Sequence, residues 1–312
     1  MTSEATILLY HGVTATPSEG IENFSGKHVS AAAFDKQMAF LKEHANVMSL
    51  QDMSQALQEK TELPPNTVAV TFDDGFRNNN SVARPILEKH GIPATFYIST
   101  GFINTSRLFW VDRVEHAINT SPLKAIELSV EGNRITLDLS SDERKITSVV
   151  AIKTRMKTMP PEQRDQTLLE LEKACQSTVE PSGVENYQMM SWDELRELHA
   201  SPLLEIGGHT VNHEIMSYLA PDELEFEITA CLDTLRSELG AEIRDYSYPE
   251  GQSEHFNQTV IDRLKAHGIT LCPSAMHGTN SAGSDPFRLK RIMVGFMGTA
   301  FPLPDAEHIP AR

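Results

Sequence analysis

The chain has 312 residues, of which 40% are hydrophobic, enough to bury one large core. Its formal net charge of −16 argues against nucleic acid and anionic membrane surfaces as partners, because both would repel it. The three cysteines are widely spaced and odd in number, which argues against a disulfide framework.

Apolar, β-branched segments alternate with helical patterns along the chain. Strands are predicted near residues 6–10, 68–72, 94–98, 203–206, 245–248, 269–272 and 292–296. Helices are predicted near residues 31–43, 82–90, 221–239 and 258–267. Seven parallel strands with intervening helices predict an α/β fold, a distorted (β/α)7-8 barrel, as one domain over residues 1–312.

A charged segment at about residues 101–190 interrupts this alternation and is predicted to be a mainly helical insertion. Within it, Trp110 and Asp112 follow the third core strand, where they either line a binding site or begin a helix with Trp110 packed in a core. The helices that follow are interpreted as a lid or as a contact in a homo-oligomer.

The strand predicted at residues 68–72 runs directly into Asp73, Asp74 and Gly75. Catalytic groups gather at this carboxyl edge in parallel α/β folds. Adjacent residues on an extended backbone point in opposite directions, so one carboxylate is expected to bind a metal while its neighbour faces a water. The alternative is a turn with a helix N-cap.

His209 and His213 follow another apolar strand and the Gly207-Gly208 pair. Their spacing places both imidazoles on one face if a helical turn begins there, and a solvated helix face is the alternative. Two histidines and one carboxylate leave positions open for water and substrate, which suits one catalytic zinc ion and is compatible with cobalt, manganese or nickel. Such an ion activates water and polarises a carbonyl.

These motifs resemble those of the polysaccharide deacetylases of carbohydrate esterase family 4, the NodB-homology domain. The family's first motif is similar to residues 71–75 and its second to residues 209–213, both without substitution. Residues 8–13 are similar to the first strand of a bacterial subgroup. The resemblance implies a distorted barrel, with Asp73 as the general base and with Asp74, His209 and His213 as metal ligands.

The family's third motif, Arg-x-Pro-Tyr, falls on residues 247–251, where Ser247 replaces the arginine that usually orients the catalytic aspartate. Arg288 or Arg291 is expected to take that role, with Arg291 preferred and a surface position as the alternative for either. The resemblance also places an oxyanion-binding backbone N–H at Glu250. Tyr248 and Pro249 are expected to shape the wall beside it, although Tyr246 and Tyr248 also fit half-buried strand aromatics.

The family's last motif, Leu-x-His, supplies a general acid, and the strand predicted at residues 292–296 ends without a histidine. His308 is expected to lie in a solvated tail. His11 ends the first predicted strand, so we expect it to be the acid or a substrate contact, the alternative being a core histidine bonded to backbone.

The sequence therefore predicts a metal-dependent hydrolase that removes an N- or O-acyl group, most often acetyl, from an amino sugar, glycan or glycan precursor. One alternative is a deformylase or amidase that acts on a lipid-linked sugar or on a small linear or cyclic amide. The other is a carbohydrate-binding protein with weakened chemistry. Neither a signal peptide nor a membrane segment is visible at the N-terminus, so a cytoplasmic location is expected, although a trimmed sequence would look the same.

Overall fold

Residues 4–177 and 183–312 are described by a computed structural model of the protein. They divide into two compact units. The sheet unit comprises the N-terminal residues through Ala15 together with Ser25–Thr105 and Met189–Arg312. The inserted unit comprises Thr16–Phe24 and Ser106–Gln188. The second segment is shorter than the insertion predicted at about residues 101–190, and the first segment lies outside the predicted insertion.

The sheet unit is built on short parallel strands. In chain order they are β1 (Ala5–Tyr10), β2 (Gly12–Thr14), β3 (His28–Ser30), β4 (Asn46–Val47), β5 (Thr67–Phe72), β6 (Ala94–Ile98), β9 (Leu204–Gly208) and β10 (Ile292–Met293). The main sheet has the order β10-β1-β5-β6-β9, with β4 also paired to β5. Every residue of β1 and β5 is buried, as expected of central strands covered on both faces.

Helices separate these strands and cover the sheet. They are α1 (Ala31–His44), α2 (Leu50–Glu59), α3 (Arg84–His90), α7 (Trp192–His199), α8 (Pro221–Leu239) and α9 (Gln258–Ala266). The side chains of Ser30 and Asn257 cap α1 and α9 by accepting backbone N–H groups. The helix predicted at residues 82–90 begins only at Arg84, because a π-helical turn over Asn79–Ala83 precedes it.

Three predicted strands are shorter than expected. Single parallel bridges, Gly208 to Tyr246 and Asp245 to Leu271, replace the strands predicted at residues 245–248 and 269–272. Pro249 and Pro273 end these segments, since proline has no N–H to donate to a ladder. The bridges continue the sheet order, which confirms the α/β class, but no pairing among residues 4–177 and 183–312 closes the ring. The last strand stops at Met293, shortly before Gly295 turns the backbone with φ 80°.

The inserted unit has a core of its own. It contains the helices α4 (Trp110–Thr120), α5 (Asp142–Met156) and α6 (Pro161–Cys175). It also contains an antiparallel hairpin of β7 (Ala125–Val130) and β8 (Asn133–Asp138), which the sequence analysis missed. Alternating burial of Ile126, Leu128 and Val130 is the pattern that indicates this strand. No helix within the described part of the chain is long and apolar enough to span a bilayer.

Asp245 lies buried in the sheet unit, with only 1% of its surface exposed. The Gln51 side-chain amide donates to Asp245 Oδ1 at 3.4 Å, and Oδ2 has no hydrogen-bond partner among the described residues. Burial, and secondarily the nearby Glu205 carboxylate, raise the pKa of Asp245 to about 7. The folded protein keeps this proton up to about pH 7, whereas an ordinary aspartate releases it near pH 3.8. Stability therefore falls as the pH rises from about 4 to about 7 and levels off above that range.

We therefore expect Asp245→Asn, which is neutral at every pH, to unfold at a higher temperature than the wild type at pH 8.5 and to show a clearly smaller advantage at pH 5, where only part of the linkage cost has been incurred. Thermal unfolding followed by circular dichroism at both pH values measures this difference. Asp233→Asn, which alters a 77% exposed side chain, is the control and is expected to match the wild type at both. A difference between Asp245→Asn and wild type that is the same at both pH values would contradict the assignment.

Candidate metal centre

Two adjacent carboxylates extend from the carboxyl end of β5. Asp73 and Asp74 are 4% and 5% exposed, so both are buried among the side chains of the sheet unit. Asp74 has a left-handed backbone with φ 82°, followed by Gly75 with φ 94°. This turn directs the two carboxylates differently: Asp73 meets an arginine and a serine, whereas Asp74 meets two imidazoles.

The two imidazoles follow β9, as predicted, but no helical turn places them together. Thr210 and His213 have φ values of 63° and 57°, and the segment from His209 to His213 is an irregular loop. Left-handed residues cannot continue a right-handed helix, which is why the predicted helical face is wrong. The loop nevertheless brings the ring centroids of the two histidines to 5.0 Å.

Asp74, His209 and His213 each offer one ligand atom, and these atoms lie within 4.8 Å of one another. Asp74 Oδ1 is 3.4 Å from His213 Nε2 and 3.7 Å from His209 Nε2. Ligand atoms about 2.0–2.1 Å from a tetrahedral zinc ion are about 3.3–3.4 Å apart, close to these separations. Two nitrogen donors and one carboxylate oxygen therefore fit a divalent ion of this kind.

His209 is oriented for this role by a backbone contact. Its Nδ1 lies 2.8 Å from the carbonyl oxygen of Ser247, and since a carbonyl only accepts, Nδ1 carries the proton. The lone pair is then on Nε2, which faces Asp74. Burial lowers the pKa of His209 despite the opposing charge of Asp73, which keeps the imidazole neutral.

Arg291 is the partner of Asp73. Its Nη1 and Nη2 each donate to a different carboxylate oxygen at 2.8 Å, and the arginine is 1% exposed. Nε donates to the carbonyl of Ser274 at 2.7 Å. Burial would raise the pKa of Asp73, but the positive charge of Arg291 and the hydrogen bonds that it donates outweigh this effect, so the pKa lies below its ordinary value.

Ser247, at the position of the missing motif arginine, completes this arrangement. Its hydroxyl accepts from Arg291 Nη2 at 2.8 Å and donates to Asp73 Oδ2 at 3.3 Å. Arg288, the other arginine considered, pairs instead with Asp285 near the surface and lies over the ring of Phe256. The small serine leaves room for a guanidinium that arrives from a different strand.

His11 follows β1 and is partly buried. Its Nδ1 is buried with no hydrogen-bond partner among residues 4–177 and 183–312, and its carbonyl accepts from Asn79 Nδ2 at 2.7 Å. Burial lowers the pKa of His11 to about 3, although the Asp73 charge opposes this effect. The resting imidazole is therefore neutral at physiological pH, and it does not carry the proton expected of an acid.

The aromatic residues expected beside the site belong to the core. Tyr248 is fully buried, donates its hydroxyl to the carbonyl of Phe287 at 3.0 Å and stacks on Phe256. The sequence left two alternatives for Tyr248, a wall beside the site or a strand aromatic in the core. The structure favours the core position, although the side chain is wholly rather than half buried. Pro249 is also buried, and Glu250 is partly exposed with φ 60°. That conformation turns the chain after the proline.

Three other residues considered in the sequence analysis have clear local surroundings. Trp110 begins α4 in the inserted unit, where it packs against that unit's core beneath the guanidinium of Arg164. Asp112 lies on the same helix and is 2% exposed. His308 is exposed in the C-terminal tail, 6.1 Å between ring centroids from Phe40. A place for Trp110 or Asp112 in sugar binding stays a prediction.

Residues 60–272 match the sequence profile of the polysaccharide deacetylase family. This match spans more than half of the chain, so the chain belongs to the polysaccharide deacetylase family. The resemblance seen in the motifs is confirmed.

Curated relatives include a poly-beta-1,6-N-acetyl-D-glucosamine N-deacetylase of Staphylococcus aureus, 33% identical over 98 residues. That alignment covers 31% of this chain and 32% of the relative, so it spans about a third of the relative's length. A deacetylase of Streptococcus pyogenes, solved with acetate, is similar with a TM-score of 0.61 and 19% identity over 96% of both chains. A de-N-acetylase of Aggregatibacter actinomycetemcomitans is similar with a TM-score of 0.59 and 19% sequence identity, over 99% of this chain and 100% of the other. These two structures support the fold.

The buried Asp73–Arg291 ion pair is expected to affect the free energy of unfolding. Arg291→Met leaves the buried Asp73 charge unpaired, so we expect it to lower the unfolding free energy of the metal-free protein by about 3–5 kcal/mol. Adding Asp73→Asn removes that charge and is expected to restore most of the loss. Urea unfolding measures both variants, with Arg288→Met as a control that changes stability by about 0.5 kcal/mol or less. Absence of rescue by Asp73→Asn would show that lost packing, not the unpaired charge, causes the destabilisation.

Proposed function

We propose that this protein is a divalent-metal-dependent deacetylase that removes N-acetyl groups from an acetylated glycan or glycan precursor. The observation that carries the proposal is the convergence of Asp74, His209 and His213 beside a separate carboxylate, Asp73, that is held by Arg291. A binding protein without chemistry would have no need to keep a buried, charged carboxylate beside an open three-ligand centre. Family membership supports the same conclusion.

The ligand set favours zinc, and cobalt, manganese or nickel are compatible with it. A divalent ion at this centre supplies Lewis acidity, which polarises the acyl carbonyl and makes a water more acidic. The protein itself supplies the neutral Nε2 of His209, fixed by the Ser247 carbonyl, and the carboxylate of Asp74. The role of Asp73 is different, because Arg291 occupies both of its oxygens from the protein side.

Asp73 is the proposed general base. Its pKa lies below its ordinary value, so the carboxylate is charged and ready to accept a proton at neutral pH. It takes a proton from the attacking water, whose oxygen bonds to the acyl carbon, and the backbone N–H of Glu250 is the proposed donor to the oxyanion. The carbon–nitrogen bond then breaks, and the departing nitrogen must receive a proton.

His11 is the proposed donor of that proton. Because burial keeps the resting imidazole neutral, His11 must first receive a proton, and the one that Asp73 takes from water is available within the same cycle. The imidazole then passes it to the leaving amine, which balances the reaction to acetate and a free amine. The relative from Staphylococcus aureus is described as acting on poly-beta-1,6-N-acetyl-D-glucosamine, so N-acetylglucosamine oligomers are the first substrates to test.

We expect Asp73→Asn to bind zinc as the wild type does and to release acetate from N-acetylglucosamine oligomers about 100-fold more slowly or worse. The amide keeps the shape of the side chain but cannot accept the water's proton. Metal content is measured by mass spectrometry of the dialysed protein, and acetate by an enzyme-coupled assay. Asp222→Asn, on the exposed first turn of α8, is the control and should retain both zinc binding and acetate release. Loss of zinc in Asp73→Asn would place that carboxylate among the ligands, and unchanged turnover would remove it from the mechanism.

For His11→Ala we expect zinc binding to persist while kcat falls about 100-fold, within the usual range for a lost proton donor. Substrates with better leaving groups need less protonation, so an acetylated aniline should show a smaller loss than an acetylated amino sugar. The ratio of the two losses is the diagnostic measurement. Equal losses on both substrates would assign His11 to substrate contact rather than to proton donation.

A further inference from the structure

The loop between the two imidazoles depends on one buried side chain from a different element. Thr210, Val211 and Asn212 connect His209 to His213, and no helix or strand fixes their conformation. Thr210 and His213 both have left-handed backbones, which are unfavourable for residues with a Cβ atom. The surrounding structure must therefore impose this loop conformation.

Glu227, on α8, provides most of that constraint. Its Oε2 accepts the backbone N–H of Val211 at 2.7 Å and that of Asn212 at 2.9 Å, and its Oε1 accepts Asn212 Nδ2 at 2.6 Å. The residue is 4% exposed. A buried carboxylate that accepts several N–H groups makes strong, charge-assisted hydrogen bonds. Here they fix the residues between two metal ligands.

Tyr246 supports the same loop from the neighbouring β segment. Its hydroxyl accepts the backbone N–H of Thr210 at 2.7 Å and lies 3.4 Å from the carbonyl of Glu227. The ring is fully buried. Consecutive backbone N–H groups from Thr210 to Asn212 thus each have an acceptor from outside the loop. All three must be satisfied for the left-handed residues to stay in place.

We propose that Glu227 is a positioning residue that sets the affinity of the Asp74–His209–His213 centre for its divalent ion. It never touches the ion; it acts through the loop that presents His213 to Asp74. This inference rests on the proposed function, since it requires that the centre bind a metal. The negative charge of Glu227, which lies on α8 and is buried against the loop that carries both imidazoles, also favours a cation there.

The chemistry of the side chain makes the inference specific. In Glu227→Gln one oxygen becomes an NH₂ group, which cannot accept, and the oxygen that remains carries no charge. The bonds to the backbone N–H groups of Val211 and Asn212 therefore lose their charge assistance. In Glu227→Asp both acceptors remain but the side chain is one methylene shorter. Glu227→Asp is therefore expected to retain part of the zinc affinity that Glu227→Gln loses. A role in which the side chain only fills space would not predict this order.

The test is zinc affinity of the full chain, measured by competition with a chromophoric chelator at fixed pH. We expect Glu227→Gln to raise the zinc dissociation constant about 10- to 100-fold, the usual range for residues that orient metal ligands. Glu227→Asp should fall between it and the wild type. Glu223→Gln is the matched control, because Glu223 lies on the same helix and accepts the Ala220 N–H, away from the loop between the histidines. Its dissociation constant should stay within about twofold of the wild type.

Tyr246→Phe keeps the buried ring and removes one acceptor, so it provides an independent variant if Glu227→Gln does not fold. We expect it to weaken zinc binding as well, and to shift the visible absorption bands of the cobalt-substituted protein, which report ligand geometry. Zinc affinity in folded Glu227→Gln or Tyr246→Phe equal to the wild type would overturn the inference. Wild-type protein that binds no zinc would instead contradict the proposed function, so the two failures are distinguishable.

Discussion

The buried ion pair between Asp73 and Arg291 is the interaction on which the site depends. It joins the residue that follows β5 to the residue that precedes β10, two strands that flank β1 in the sheet. Removing two charges from water is unfavourable unless geometry compensates, and here both carboxylate oxygens and the three guanidinium nitrogens have partners. The pair therefore keeps Asp73 ionised and holds it beside the proposed metal ligands, with Oδ2 4.0 Å from His209 Nε2.

Four residues around this centre have left-handed backbones. Asp74, Thr210, His213 and Glu250 are non-glycine residues with φ between 57° and 82°. Such residues persist only where surrounding contacts impose them, and they commonly mark functional sites. Asp74 and His213 are proposed ligands, Thr210 lies between the histidines, and Glu250 carries the proposed oxyanion donor. The strain thus coincides with the atoms that the proposed reaction needs in fixed positions.

The sequence predicted the central strands well because β1, β5 and β6 are continuous buried apolar runs. It also indicated the ligand residues, since each follows such a strand. It could not predict the left-handed loop after β9, because the i,i+4 spacing of His209 and His213 is equally compatible with a helix. Glu227 was missed for a related reason: a glutamate on an amphipathic helix looks solvated until a distant loop is seen to cover it. The β7–β8 hairpin was missed although its alternating pattern was present.

Diffraction from crystals grown with zinc, recorded on both sides of the zinc absorption edge, tests the central claim most directly. The account predicts one anomalous peak about 2.0–2.2 Å from the ligand atoms of Asp74, His209 and His213. Asp73 should remain paired with Arg291 and outside bonding distance of the ion. An ion bound elsewhere, or bound directly by Asp73, would contradict the division of roles between the two carboxylates.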